Sequence, residues 1–147
     1  SGSNLIGISG NAAYNINSSA CRIWRDIGAT NHDITAQVRT FGTQVYLLAG
    51  LVDASNHYRL YADSTGLMRL QRIVSGTATD LAVAGAGLVT NGAILRLRKV
   101  GRTLSAYLDG DLVYTATDAT YETATKCGIG ASGATTSYVD WVIARRA

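Results

Sequence analysis

Side chains able to do chemistry are few in this sequence, and their spacing argues against most reactions. Hydrolysis of a glycosidic bond with retention needs two carboxyl groups about 5 Å apart, yet Glu122 is the single glutamate. Asp109 and Asp111 flank Gly110 and read as turn residues rather than as an acid and a nucleophile. A nucleophilic serine in a G-x-S-x-G elbow is absent. His32 and His57 follow Asn31 and Asn56 at predicted turns, so both are expected to be surface histidines. Residues 128–133, Gly-Ile-Gly-Ala-Ser-Gly, match the G-x-G-x-x-G pattern. That pattern holds a pyrophosphate only when its glycines open a helix. Ala-Thr-Thr-Ser and a predicted strand follow instead, so these glycines are expected to serve strand packing and a hairpin.

Cys21 and Cys127 show no metal-like spacing with each other or with the two histidines. Two buried free thiols are expected, and a disulfide stays open if their strands are neighbours. Thirteen basic residues against ten acidic ones leave a net charge of +3, with no concentrated basic stripe, so no nucleic-acid partner is expected. No apolar run approaches the roughly 20 residues of a membrane-spanning helix. Ser1-Gly2-Ser3 lacks the charged start of a signal peptide, which suggests a processing scar or a module cut from a longer protein.

Binding asks less of a sequence than catalysis, and one set of residues suits it. If each strand alternates, Arg59 and Tyr61 project with His57, Arg69 with Gln71, and Arg96 and Arg98 with Tyr107. Neighbouring strands are expected to gather them into one patch. Tyrosine rings stack on the apolar C–H faces of sugars, and arginine forks hold hydroxyls or carboxylates, so the patch suits a glycan, an acidic one included. The same composition also fits an ordinary solvent face, or a face docked against another copy or a neighbouring subunit.

The elements that must position these residues are strands. The run 94–114 is the most legible: Leu95 and Leu97 alternate with Arg96 and Arg98, and Leu104, Ala106 and Leu108 with Ser105 and Tyr107, while Asp109-Gly110 supplies a tight turn. Residues 33–40 alternate with Ile34, Ala36 and Val38 inward. Residues 44–52 are apolar on both parities, which predicts a central strand covered on both faces. Further strands are predicted at 5–8, 12–16, 20–26, 57–62, 67–74, 80–84, 126–131 and 137–144, the last with Val139, Trp141 and Ile143 on one face. At 147 residues, with 47% hydrophobic residues, no proline and no helical periodicity, one all-β sandwich or barrel is expected.

The order of these pieces resembles the concanavalin A-like lectin/glucanase superfamily, the jelly rolls that include laminin-G-like modules. The resemblance is carried by Asp53-Ala54-Ser55-Asn56-His57-Tyr58, by residues 66–82 with their Ser75-Gly76 hairpin, by Gly101 to Asp109-Gly110, and by the closing Gly128-Ile129-Gly130 and Val139-Asp140-Trp141-Val142. It is similar in flavour to modules of minor tail proteins in phages of actinobacteria. It implies an antiparallel two-sheet jelly-roll sandwich. The carboxylate cluster of the glucanase members cannot be built with one glutamate, so a non-catalytic module is expected. Several families of this fold use calcium, for which Asp53, Asn56, Asp63 and Asp118 are candidates, but no motif supports a site and no cofactor is predicted. The implied partners are a cell-surface glycan or polysaccharide and other virion or surface proteins, with a homo-oligomer open. The implied setting is a virion or the extracellular space, where a purely structural role as a tail or capsid decoration domain is the alternative.

Overall fold

A computed structural model of the chain describes residues 7–9, 12–14, 21–40, 43–132 and 138–147. Ser1-Gly2-Ser3, the start of the first predicted strand, Ser18-Ser19 and Gly133 lie outside the described residues. Thirteen strands run in the order β1 (Gly7–Ser9), β2 (Ala12–Tyr14), β3 (Cys21–Asp26), β4 (His32–Thr40), β5 (Gln44–Asp53), β6 (Asn56–Asp63), β7 (Met68–Val74), β8 (Thr77–Ala84), β9 (Ile94–Val100), β10 (Thr103–Leu108), β11 (Asp111–Thr117), β12 (Lys126–Ser132) and β13 (Tyr138–Arg146). They form a seven-stranded sheet, β1-β2-β13-β4-β9-β10-β11, packed on a six-stranded sheet, β3-β12-β5-β6-β7-β8. All the recorded pairings are antiparallel. The described residues contain no helix long and apolar enough to cross a membrane.

The alternation read from the sequence sets what enters the core. Ile34, Ala36 and Val38 of β4, Leu95 and Leu97 of β9, and Leu104 and Ala106 of β10 face Val45, Leu47 and Ala49 of β5, Leu60 of β6, Met68 and Leu70 of β7, and Ile129 of β12. Apolar area removed from water between the sheets supplies most of the driving force for such a sandwich. β5 is central, as its double-sided apolar pattern requires: Tyr46, Leu48 and Leu51 form a second buried cluster with Tyr61 on the opposite face of the sheet. The Asp109-Gly110 turn has φ of +51° and +97°, the two positive values that a two-residue hairpin turn matching strand twist demands.

Two expectations fail here. A bulge between Val139 and Trp141 switches the parity of β13. Val139 and Val142 therefore pack with the core, while Trp141 donates from Nε1 to Gln37 Oε1 at 2.9 Å instead of sharing a face with Val139. His32 is not a surface residue but fully buried. Its Nδ1 accepts the Gly50 N–H at 3.1 Å, which leaves the proton on Nε2, bonded to Ala29 O at 2.7 Å. Beside it on β9, Lys99 is equally buried and donates to Thr30 O and Glu122 O at 2.6 and 2.8 Å, so one end of the core is closed by polar groups spent on loop carbonyls. Cys127 is a buried free thiol, its pKa pushed up to about 11 by burial; Cys21 pairs in register with Ala131, four residues further along β12.

Candidate functional site

The outward parity of the six-stranded sheet carries two rows of residues. Cross-strand register sets Arg22 (β3), Gly130 (β12), Tyr46 (β5), Tyr61 (β6), Arg69 (β7) and Val83 (β8) side by side. The next row is Trp24, Gly128, Leu48, Arg59, Gln71 and Asp80. Two glycines sit in the middle of this face, and both are crowded. At Gly130 the space of a side chain is taken by the Tyr46 ring, whose Cε2 lies 2.1 Å from where a Cβ would stand.

The polar residues of the face are bonded to one another. Arg59 Nε donates to Gln71 Oε1 at 2.7 Å, Gln71 Nε2 donates to Asp80 Oδ1 at 2.6 Å, and Arg69 pairs with Asp80 Oδ2 at 2.6 Å. The Arg59 guanidinium lies 5.6 Å from the Tyr46 ring centroid and 5.4 Å from that of Tyr61, and the Arg22 guanidinium lies 5.7 Å from Tyr46. Burial, then repulsion from Arg22, hold the Arg59 pKa below its ordinary value, while Tyr46 and Asp80 pull the other way. Tyr61 donates to Asp63 Oδ2 at 3.2 Å, and burial raises its pKa. Trp24 is 42% exposed at the edge of the face. It also rims an apolar cleft of about 560 Å³ between the sheets, with Ile27, Ile129 and Val142.

The β5–β6 hairpin closes one end of the face. Between the pairs Ala49–Tyr58 and Asp53–Asn56, residues 50–52 of β5 oppose residue 57 alone, a bulge that begins at Gly50 with φ of +55°. The hairpin tip is brought within reach of Arg22, whose Nη1 donates to Ala54 O. His57, expected at the surface, is fully buried beneath this arrangement on the outward parity. Among the described residues neither of its ring nitrogens meets a partner in full hydrogen-bond geometry, although the Asp53 main chain lies close enough to favour the protonated ring. Burial lowers its pKa to about 4, helped by Arg22 and Arg59 and opposed by the main chain and carboxylate of Asp53.

Of the seven residues singled out in the sequence, Arg59, Tyr61, Arg69 and Gln71 are brought together here. Arg96, Arg98 and Tyr107 belong to β9 and β10 of the other sheet and project from the opposite side of the sandwich. Alternation fixes which residues of a strand share a face but not which sheet the strand joins, so the single expected patch is two. In the second group Arg96 Nε donates to Asp33 Oδ1 at 2.8 Å and its guanidinium lies 4.9 Å from the Tyr107 centroid, beside a cleft of about 440 Å³ lined by Thr35, Asp109 and Arg145. Sequence reasoning missed Arg22, Trp24, Tyr46 and Asp80. The alternation of residues 20–26 and the second parity of β5 would have supplied the first three.

The loop carboxylates considered for calcium are occupied by turn bonds. Asp53 accepts from Ser55 N and Asn56 Nδ2, Asp63 from Thr65 N and Oγ1, and Asp118 from Thr120 N, Tyr58 and Arg72. No group of three or more histidine, cysteine or acidic side chains is placed to hold a metal ion among the described residues.

Two sheets in this order form the concanavalin A-like jelly roll, and known structures share it. Carbohydrate-binding module CBM66 from Bacillus subtilis superposes with a TM-score of 0.74 over 97% of this chain and 91% of its own, at 15% identity. Sheep galectin-11, in complex with glycerol, gives a TM-score of 0.59 at 6% identity over 88% of this chain and 98% of that one. The LG4-5 domains of the mouse laminin α1 chain give 0.63 at 12% identity over 96% of this chain and 43% of that one. No family model and no curated protein sequence matches the chain.

Proposed function

We propose that this domain is a non-catalytic carbohydrate-binding module and that it binds glycan on the outer face of the six-stranded sheet. The observation that carries the reading is the bonded chain Arg59–Gln71–Asp80–Arg69 lying beside Tyr46 and Tyr61, with Trp24 exposed at the rim. Such a chain offers donors and acceptors whose directions are already fixed, so binding costs little further side-chain ordering. The exposed Trp24 and the half-buried Tyr61 supply the apolar surface that stacks on a pyranose or furanose face, while the buried Tyr46 backs the arginines. The likeness to CBM66 supports the same reading. We take the setting to be an extracellular or virion surface, where the domain serves as the adhesive part of a larger assembly.

A second reading, as a structural domain that docks other proteins, draws support from the exposed apolar side chains of the two edge strands, Val83 of β8 at 51% on the outer face of the six-stranded sheet and Leu112 of β11 at 57% on that of the seven-stranded one. A glycan array followed by calorimetry separates the two. The carbohydrate reading expects binding that falls at least tenfold in Arg59→Ala and Trp24→Ala and is unchanged in Leu112→Ser. Absence of any sugar affinity at millimolar concentration, with the domain folded, would sink it.

A further inference from the structure

Four buried side-chain nitrogens lack a hydrogen-bond partner among the described residues: Arg22 Nε, Arg72 Nε, and both Nδ1 and Nε2 of His57. Three of the four belong to one place, the end of the outer face beneath the β5–β6 hairpin. A buried donor without an acceptor costs free energy, so a cluster of them calls for an explanation in terms of what completes it. The charges at this place are equally one-sided. Among the described residues neither Arg22 nor Arg59 forms an ion pair, and unlike Arg25, Arg98, Arg145 and Arg146, which also lack one, these two share a single tyrosine ring. Asp53, whose charge acts on His57, accepts from Ser55 N and Asn56 Nδ2, and the charge of Asp80 is shared between Arg69 and Gln71.

We infer that this end of the face is a subsite for the carboxylate of an acidic sugar, held between Arg22 and Arg59 with His57 at its floor. The inference rests on the carbohydrate reading and narrows it to uronic-acid-bearing glycans. A carboxylate supplies the two acceptor oxygens that guanidinium forks match in plane, and it adds the negative charge that two neighbouring arginines over one tyrosine ring lack. Arg22 is the adjustable member. Its Nη1 is spent on the exposed Ala54 carbonyl, a contact that a charged acceptor outcompetes, and moving it uncovers His57 and the Tyr46 ring. Arg59 is the fixed member, since Gln71 holds its Nε and two tyrosine rings flank its guanidinium. The sugar ring beyond the carboxylate then extends over the half-buried Tyr61 or towards Trp24.

The test compares uronic-acid polysaccharides, namely polygalacturonate, alginate, hyaluronan and glucuronoxylan, with their carboxyl-reduced forms, heparin and neutral galactan, xylan and levan. Affinity electrophoresis and calorimetry are run on the full domain at low and at physiological salt. At least one acidic polymer is expected to bind ten or more times tighter than its carboxyl-reduced form. That preference is expected to be lost in Arg22→Ala, Arg59→Ala and Arg59→Lys and kept in Arg98→Ala on the other sheet, with thermal unfolding confirming that each variant folds. Binding to neutral and acidic forms alike overturns the subsite and leaves the carbohydrate reading standing. A preference for heparin that survives carboxyl reduction, or an acidic preference kept in Arg22→Ala and Arg59→Ala, also overturns it. No binding to any polymer overturns both.

Discussion

The ring of Tyr46 lies on Gly130, two strands' backbones bridged by one side chain, and its hydroxyl donates to Ala131 O at 3.3 Å. This contact levels the middle of the six-stranded sheet and gives Arg22 and Arg59 a common aromatic neighbour. In most strands alanine in place of glycine is mildly favourable, because glycine loses more conformational freedom on folding. At position 130 the sign reverses, since the new Cβ would stand 2.1 Å from the ring's Cε2 and Tyr46 must leave a site where it is 1% exposed. Gly130→Ala is expected to cost about 1–3 kcal/mol by overpacking. Urea unfolding measures the loss, and glycan affinity is expected to fall with it because Arg59 loses its platform.

Tyr58 ties the loop after β11 to the six-stranded sheet. Its hydroxyl donates to Asp118 Oδ1 at 2.7 Å and accepts the Tyr121 N–H at 3.0 Å, and the two tyrosine rings meet edge to face at 5.1 Å. Tyr58→Phe leaves a buried N–H and a carboxylate oxygen without that partner, an expected loss of about 1–3 kcal/mol. Burial alone would raise the Asp118 pKa, but bonds from Thr120 and Tyr58 and the charge of Arg72 outweigh it and hold the group below the ordinary range. The stability this adds is present above pH about 4 and is lost as acid titrates the carboxylate through its lowered folded value. Asp118→Asn is expected to flatten that acid limb, which unfolding midpoints between pH 5 and pH 2 record.

Much of the fold was legible because burial acts on strand parity. Ile34, Ala36 and Val38, or Leu95 and Leu97, announce a core face with no knowledge of their neighbours. The Gly128-Ile129-Gly130 pattern likewise announced packing rather than phosphate, and the crowding at both glycines bears that out. Three things escaped for a common reason, that they depend on partners distant in sequence. The division of the candidate patch follows from which sheet β9 and β10 join. The inverted parity of β13 follows from a bulge set against β4. The burial of His32 and His57 follows from loops and a bent hairpin folding over them, while their local sequence shows only an asparagine and a turn.

Lys99 shows the same dependence. It continues the inward parity of Leu95 and Leu97, where a cation is costly unless its protons are bonded, and two loop carbonyls meet it there. Burial lowers its pKa, with Glu122 pulling the other way. Lys99→Met keeps the stem's apolar contacts but strips the donors from Thr30 O and Glu122 O. The expected loss is about 1–3 kcal/mol. Hydrogen exchange is expected to rise first in the loops around residues 30 and 122, and uniform protection in the variant would contradict the role.

His57 makes the stability of the domain depend on pH in a window of its own. The unfolded imidazole titrates near pH 6.5, and the folded one at about 4, because burial and the two arginines disfavour its charged form. Above about pH 6.5 neither state binds the proton and the group contributes nothing to the balance. As the pH falls from there to about 4 the unfolded chain takes up a proton that the native fold refuses, so stability declines across that interval and levels off below it. The full loss is about 3 kcal/mol, of which about 2 kcal/mol falls between pH 7 and pH 5. His32 is lowered in the same direction by its burial, so the wild type shows both effects and His57→Gln isolates one. Urea midpoints at pH 7 and pH 5 are expected to lie closer together in His57→Gln than in the wild type. A ring that titrates at pH 6 or above in the proton spectrum of the folded domain would show that solvent reaches it, and the closed floor of the face would then be wrong.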